Sequence, residues 1–388
     1  MEWAIRLKSV IQVQKAKAIC DTPIWDITCP LTRKEKAMAG SDRKSTGETD
    51  IQALRRAYYD RLSQKDMAPL WEVLRDLVPA EPVTPYVPAV WHFDDFKPIV
   101  LEAGVLITAK EAERRVLVLE NPGAKGKSGI TQSLYAGIQM ILPGEIAPPH
   151  RHTAGAIRFI LDGEGAYTQV DGEKALMSRG DFVITPSWTA HDHGNDSGKP
   201  ILWLDVLDAP MTNFFGASFM EHLGEEMQNT RRPSGDSLAR YGSGVMPDGT
   251  DTSSKQSPIV NYPYSVIRPV LERLQRAGEI DPRHGARVRY SNPFNGGWVT
   301  PTMGAHISLL PKGFKGRDYR STDGTVFACV EGRGRTRLGT SALEWREGDV
   351  FVIPTWNTYH HETDTGAVVF GISDRPAQES LGIWREDA

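Results

Sequence analysis

Residues 144–170, GEIAPPHRHTAGAIRFILDGEGAYTQV, and residues 180–195, GDFVITPSWTAHDHGN, decide how this chain of 388 residues is read. Successive side chains on a β-strand face opposite sides, so His150 and His152, two apart, project to the same side. AIRFILD, AYTQV and DFVIT are short runs rich in apolar and β-branched residues, broken by Gly163, Gly180 and Pro186. Strands separated by turns read this way. His191 lies just past the run that ends at Pro186 and can approach from a neighbouring strand. Three neutral imidazoles on one side of a metal ion leave its other positions open to water, substrate or dioxygen. A lone His-x-His is weak, because paired histidines also occur as ordinary surface groups; a third histidine in a second block makes a strong metal candidate.

Outward from these blocks the β character continues. RVLVLENP, SLYAGIQMILP and ILWLDVLDAP are further short runs punctuated by Gly, Pro, Asp and Asn, the pattern of an all-β sandwich or barrel. The chain then repeats itself. GDFVITPSWTAHDH at Gly180 returns as GDVFVIPTWNTYHH at Gly348, DGEG at Asp162 as EGRG at Glu331, and ENPGAKG at Glu120 more weakly as SNPFNGG at Ser291. These offsets, 168 to 171 residues, point to a duplicated β-barrel. Aligned on the repeat, His150 falls on Asp318 or Tyr319, His152 on Arg320 or Ser321, and His191 on Tyr359. His360 and His361 follow with no His-x-His to join them, so the second barrel is expected to be metal-free.

Five segments are expected. Residues 1–48 are polar and charged, with Met38 as a possible internal start. Residues 49–95 are helical at first: Ile51, Leu54, Tyr58 and Leu62, then Leu70, Val73, Leu74 and Leu77, recur at helical spacing until Pro79 and Pro82. Residues 96–210 form the metal-binding barrel, 211–285 a linker with a helix from Tyr264 to about Gly278, and 286–388 the second barrel.

The bulk numbers exclude several classes. A net charge of -4 with no basic run interleaved with aromatics gives no reason to expect nucleic acid. No apolar run of about 18 residues is present, so no membrane span is expected. The N-terminus lacks the apolar core and cleavage site of a secretory signal. Cys20, Cys29 and Cys329 form no CxxC pair, and a reducing cytoplasm is the expected location.

The two blocks around the histidines, at this spacing, resemble the two motifs of the cupin superfamily, which implies conical antiparallel β-barrels (a double-stranded β-helix). Here the fold class is all-β, a bicupin with an N-terminal helical segment. Most metal-binding cupins place a glutamate four residues after the His-x-His; this chain has Ala156. An all-imidazole set keeps the full charge of a divalent ion and favours an anionic chelating substrate. It argues against magnesium and calcium. Fe(II), one per chain, is the leading candidate, with zinc, manganese, nickel and copper open on ligand type alone.

LYAGIQMILPGEIAPPHRHTAGAIRFILDGEGAYTQVDGE, GDFVITPSWTAHDHGND, WLDVLDAP, MAPLWEVLRDLVPAEP and RYSNPFNGG together resemble gentisate 1,2-dioxygenase and its relatives acting on salicylates and 1-hydroxy-2-naphthoate. The resemblance covers about residues 50–375. It implies ring cleavage with dioxygen between a carboxyl-bearing and a hydroxyl-bearing carbon, gentisate giving maleylpyruvate, and a homotetramer. Salicylate, nitro- or halo-salicylates and 1-hydroxy-2-naphthoate are alternative rings. A zinc isomerase would want a glutamate ligand and a cationic phosphate cluster, and a storage or binding bicupin usually loses its histidines in both barrels.

Around the metal, Arg158 is an even number of residues from Ala156 and should face inward, where its fork suits the substrate carboxylate or the reacting oxygen. Its ordinary reading is a salt bridge to Asp205 or another barrel acid. Arg114, by the resemblance, lies over the pocket mouth, although the run with Arg115 also reads as a solvated turn. His193 shares the side of His191 and is either an acid/base toward substrate or a support for a ligand histidine. Asp205 breaks an apolar run and orients a ligand or a substrate hydroxyl, or is a buried acid paired with Arg. Tyr135 and Trp188 are expected as pocket walls.

Overall fold

A computed structural model describes residues 44–387. Cys20, Cys29, Met38 and nearly all of the polar extension lie outside the described residues. The chain divides into two compact units at Pro79/Ala80. In the first, helices Lys44–Ser63 and Leu70–Leu77 are tied by the Tyr59 hydroxyl, which donates to Glu72 at 2.6 Å and accepts from the Trp71 indole at 2.9 Å.

The second unit is built from antiparallel strands arranged as two barrels. In the first barrel, one sheet runs in the order Asn261–Tyr262, Phe182–Thr185, Ala156–Asp162, Ile201–Leu207, Tyr135–Ile141, Val116–Val118. The facing sheet runs Met220–His222, Ile146–His152, His191–Asn195, Glu164–Val170, Glu173–Ser178. The second barrel repeats this plan, with one long strand, Thr325–Leu338, pairing in both of its halves and shifting register between Cys329 and Glu331. The buried apolar core runs through both barrels, and Phe159 of one stacks on Phe370 of the other with ring centroids 4.1 Å apart. That continuity is why the two copies form one unit rather than two.

Each barrel also takes a strand and a helix from outside its own repeat. Ala89–Trp91, which precede the first barrel in sequence, pair with Val350–Ile353 of the second, and helix Phe93–Leu106 follows. Asn261–Tyr262 pair with Phe182 and Val183 of the first barrel, and helix Tyr264–Ala277 follows, ended by Gly278 in the left-handed conformation. The repeated Gly-Asp pair receives both helices. Asp181 accepts the backbone N–H of Tyr264 at 2.9 Å, and Asp349 that of Phe93 at 2.7 Å. Such a carboxylate satisfies helix N–H groups that have no partner within the helix.

The adjacent glycines turn the chain with φ of +86° at Gly180 and +88° at Gly348. A Cβ would stand 2.8 Å from the Tyr264 ring at the first and 2.7 Å from the Phe93 ring at the second. Gly348→Ala is therefore expected to cost about 2–4 kcal/mol, the strain of a left-handed side chain plus the displaced ring. Gly339→Ala, also at positive φ but with open space around it, should cost only the strain. Urea denaturation of both variants checks the difference; equal losses would mean the Phe93 contact contributes nothing.

Candidate metal centre

His150 and His152 end strand Ile146–His152, and His191 begins strand His191–Asn195, directly across from His150 in the register. Two-residue alternation puts the first pair on the barrel interior, and antiparallel pairing adds the third. The imidazole centroids lie 4.2 Å (His150–His191), 4.8 Å (His152–His191) and 5.2 Å (His150–His152) apart, and one ring nitrogen from each falls within 4.8 Å of the others.

Each Nδ1 faces a backbone carbonyl two residues away: Pro148 O at 3.5 Å for His150, Ala154 O at 2.7 Å for His152 and Thr189 O at 3.0 Å for His191. For His152 and His191 the carbonyl accepts only, so the bond places the proton on Nδ1 and leaves the Nε2 lone pair free, the arrangement metal-ligating histidines use. At His150 the Pro148 contact is long, and the Arg114 guanidinium, a donor, also approaches Nδ1. The Nε2 of His191 is buried with no hydrogen-bond partner. Burial holds the rings neutral: it is the largest influence on each, with nearby guanidinium charge in support, and lowers His150 to about 3. Three neutral imidazoles with converging ring nitrogens, one of them the orphaned buried Nε2 of His191, fit a divalent cation of the type that imidazole prefers.

Ala156, where a carboxylate ligand would stand, is fully buried and opposite Thr185. The left-handed Trp188, with φ +60°, donates its N–H to His152 O at 2.8 Å and so pins the loop to the ligand strand. Its ring, however, packs on Phe219 and under the guanidinium of Arg151. Arg151 alternates to the face opposite the histidines. Trp188, expected as a pocket wall, is therefore not brought to the triad: the turn that anchors its backbone sends its side chain to the other side.

The remaining candidates gather inside the barrel. Arg158 and Asp205 are direct cross-strand partners, and Nε lies 3.1 Å from Oδ1 with both side chains almost fully buried. Arg158 also bonds to the Thr185 hydroxyl. Burial pushes the guanidinium down and the carboxyl up, and each charge offsets that effect on the other. The pairing named as the ordinary reading of Arg158 is thus present.

His193 is completely buried. Its Nδ1 lies 2.9 Å from Thr168 Oγ1, whose own hydrogen points to Met177 Sδ at 3.3 Å. The Thr168 oxygen therefore accepts from Nδ1–H, which leaves Nε2 as an unpartnered acceptor in the interior.

The two adjacent arginines separate. Arg115 is buried in a bidentate pair with Glu145, 2.8 Å on each arm. Arg114 bonds to His150 Nδ1 and to Pro148 O, at the triad. Burial and then Arg158 lower it to about 10. The half-buried Tyr135 has its phenol pushed up by burial and then by Asp205. Gly137 carries no signal in the sequence; a Cβ there would stand 2.8 Å from the Tyr135 hydroxyl and 2.5 Å from Val116, so its lack of a side chain lets that phenol settle beside the site.

Residues 137–207 match the cupin domain family model. The chain is 52% identical over 332 residues to gentisate 1,2 dioxygenase 1 of Aquipseudomonas alcaligenes, a match covering 86% of this chain and 96% of that protein. This chain belongs to the gentisate 1,2-dioxygenase family.

Within the family it is also 34% identical over 347 residues to 5-aminosalicylate 1,2-dioxygenase of a Comamonas species, covering 88% of this chain and 91% of the relative. The salicylate 1,2-dioxygenase structure from Pseudaminobacter salicylatoxidans superposes with a TM-score of 0.81 at 33% identity, covering 86% of this chain and 97% of that one. Membership of the gentisate 1,2-dioxygenase family makes the chain a bicupin enzyme of the dioxygenase class, and the isomerase and storage readings are not favoured.

The second barrel superimposes on this plan through its own pairings. The bridge His150–His191 corresponds to Tyr319–Tyr359, and the Trp188 N–H to His152 O bond to that of Trp356 with Ser321 at 2.7 Å. Between the two alternatives the sequence left at each position, the structure selects Tyr319 and Ser321. Arg158 and Asp205 correspond to Phe327 and Gly371, and His193 to His361, which keeps its threonine partner in Thr336 at 2.9 Å.

Proposed function

We propose that this enzyme cleaves gentisate (2,5-dihydroxybenzoate) between its carboxyl-bearing carbon and the adjacent hydroxyl-bearing carbon, using one Fe(II) per chain held by His150, His152 and His191. The reading rests above all on three neutral histidines with one ring nitrogen from each within 4.8 Å of the others, two of them with Nδ1 bonded to a carbonyl. The relative with 52% identity is named for the same reaction, and a solved relative is described as carrying gentisate adducts. Both atoms of dioxygen enter the product, so gentisate plus O2 balances as maleylpyruvate.

Fe(II) supplies a Lewis-acid, one-electron centre for a ring that chelates through its carboxylate and phenolate. The rest falls to the chain. Arg158 and Arg114 bring guanidinium donors to the substrate's negative charge, in an interior where such contacts are little screened. Asp205 orients the Arg158 fork and balances its charge. The free Nε2 of His193 accepts a proton from a ring hydroxyl. Tyr135 forms a wall beside the ring, while the apolar barrel floor excludes water. Trp188 is left out of this pocket.

A cytoplasmic enzyme assembling as a tetramer completes the reading. It is supported by a buried Cys329 that forms no disulfide among the described residues, and by exposed Phe214, Phe215 and Phe219. No helix among the described residues is long and apolar enough to cross a membrane.

The test is anaerobic: load the protein with Fe(II), add gentisate, admit oxygen, and follow maleylpyruvate absorbance with oxygen uptake. Stoichiometric uptake with gentisate is expected. Uptake with salicylate, 5-aminosalicylate or 1-hydroxy-2-naphthoate but not gentisate would change the substrate; none with any of them would remove the dioxygenase reading.

A further inference from the structure

We propose that the mouth of the second barrel is a binding site for a small carboxylate, held by Arg287 and His306. The argument begins from what replaced the metal site. Tyr319, Ser321 and Tyr359 stand at the triad positions, and Phe327, Phe351 and Trp345 fill the interior behind them with stacked rings. The barrel floor is therefore closed, but its mouth is not. A cleft of about 360 Å3 opens there, lined by His284, Arg287, Arg289, Trp298, His306 and Arg375 among others. That volume lies within the roughly 300–1,000 Å3 range of small-ligand sites.

Two of these groups lack partners among the described residues. His306 is only 6% exposed, lines the cleft, and has neither ring nitrogen hydrogen-bonded. Gly371, the counterpart of Asp205, makes room for it: a Cβ there would meet His306 Nε2 at 2.4 Å. Arg287 is half-buried and makes no ion pair among the described residues; the Tyr359 and Tyr319 phenols and the Asp323 carboxylate act on it from a distance, and Asp323 is already bonded to Ser373 and Trp384. A sequestered guanidinium with no counter-ion is costly unless an anion arrives. The other two arginines are already committed. Arg375 pairs with Glu379 at 2.7 Å, and Arg289 donates to Gly296 O at 2.9 Å while lying against the Trp298 ring.

The two barrels differ at the strand that carries Arg287: Arg289 pairs with His306 as Val118 pairs with Gly137, so Arg287 stands at the place of Val116. Arg114 comes from the segment leading into Val116–Val118, and Arg287 from strand Ala286–Arg289, each of these strands flanking the first long strand of its barrel. The second barrel thus carries, where the first has Val116, an arginine on the strand beside His306.

The charge balance selects the ligand. One uncommitted guanidinium, with Glu279 and Asp281 on the rim, suits a single negative charge better than a phosphate dianion. A planar carboxylate matches the fork of Arg287, and Trp298 offers an aromatic wall.

The Fe(II)-loaded enzyme can be titrated calorimetrically with benzoate, which lacks the ortho-hydroxyl needed to chelate the metal, and separately with inorganic phosphate. A benzoate site is expected whose affinity falls at least tenfold in Arg287→Gln and remains in Arg158→Gln, with phosphate binding more weakly. Turnover of the catalytic barrel should be unchanged in Arg287→Gln. Should that variant fold poorly by its melting curve, His306→Gln is titrated in its place and the same loss is expected. Unchanged benzoate affinity in the folded Arg287 or His306 variant overturns the proposal. So does loss of all benzoate binding in Arg158→Gln, or phosphate binding more tightly than benzoate.

Discussion

His191→Ala is expected to give a folded protein whose iron content falls to background and whose ring cleavage drops by at least a thousandfold, about 4 kcal/mol of transition-state stabilisation. In the proposed site His191 is the residue that would close it, because His150 and His152 share one strand and only His191 reaches in from its neighbour. Its ring is also the one whose Nε2 is buried without a protein partner. Removing it leaves two imidazoles, which bind a divalent ion weakly. Folding should survive, since the lost ring is neutral and its Nδ1 partner, Thr189 O, remains free to bond water admitted to the space. Tyr359→Ala at the matching position of the second barrel should leave iron content unchanged. Iron retained stoichiometrically by the His191 variant would refute the ligand assignment.

Much of this site was legible in the sequence, for a simple reason. Strand alternation converts a two-residue spacing into a shared face, so His150 with His152, and His191 with His193, could be assigned sides before any coordinates. The duplication was legible too, because Gly-Asp recurs wherever a helix is received on Asp181 or Asp349.

What could not be read depends on partners distant in the chain or on the backbone. The carbonyls of Ala154 and Thr189 set the tautomers of His152 and His191, and any residue type has a carbonyl. Ala89–Trp91 and Asn261–Tyr262 are too short to register as strands, and each gains its hydrogen bonds from another part of the chain. Arg114 and Arg115 look alike until Glu145 claims one of them. Trp188 lies in the metal motif, yet the sign of its φ decides which way the ring points, and only glycine announces a positive φ in advance.

The Arg158–Asp205 pair should behave unlike the surface ion pairs of this protein. With both side chains almost fully buried and cross-strand neighbours, removing one partner leaves the other charge in a low-dielectric interior. Asp205→Asn is therefore expected to cost about 3–5 kcal/mol, against under about 1 kcal/mol for an exposed pair such as Arg346–Asp94. The second barrel indicates what happens when both charges go: Phe327 and Gly371 occupy the equivalent places, Phe327 in an apolar cluster and Gly371 against the His306 ring. Arg158→Met combined with Asp205→Ala should accordingly lose less stability than the sum of the single changes, the non-additivity expected of a coupled buried pair. Activity should not follow stability. The double variant lacks the Arg158 fork, so its kcat/KM should remain as low as that of Arg158→Met alone while its urea midpoint recovers. If each single change costs under about 1 kcal/mol, or if the double variant regains activity together with stability, the pair contributes neither a buried charge balance nor the positioning of substrate.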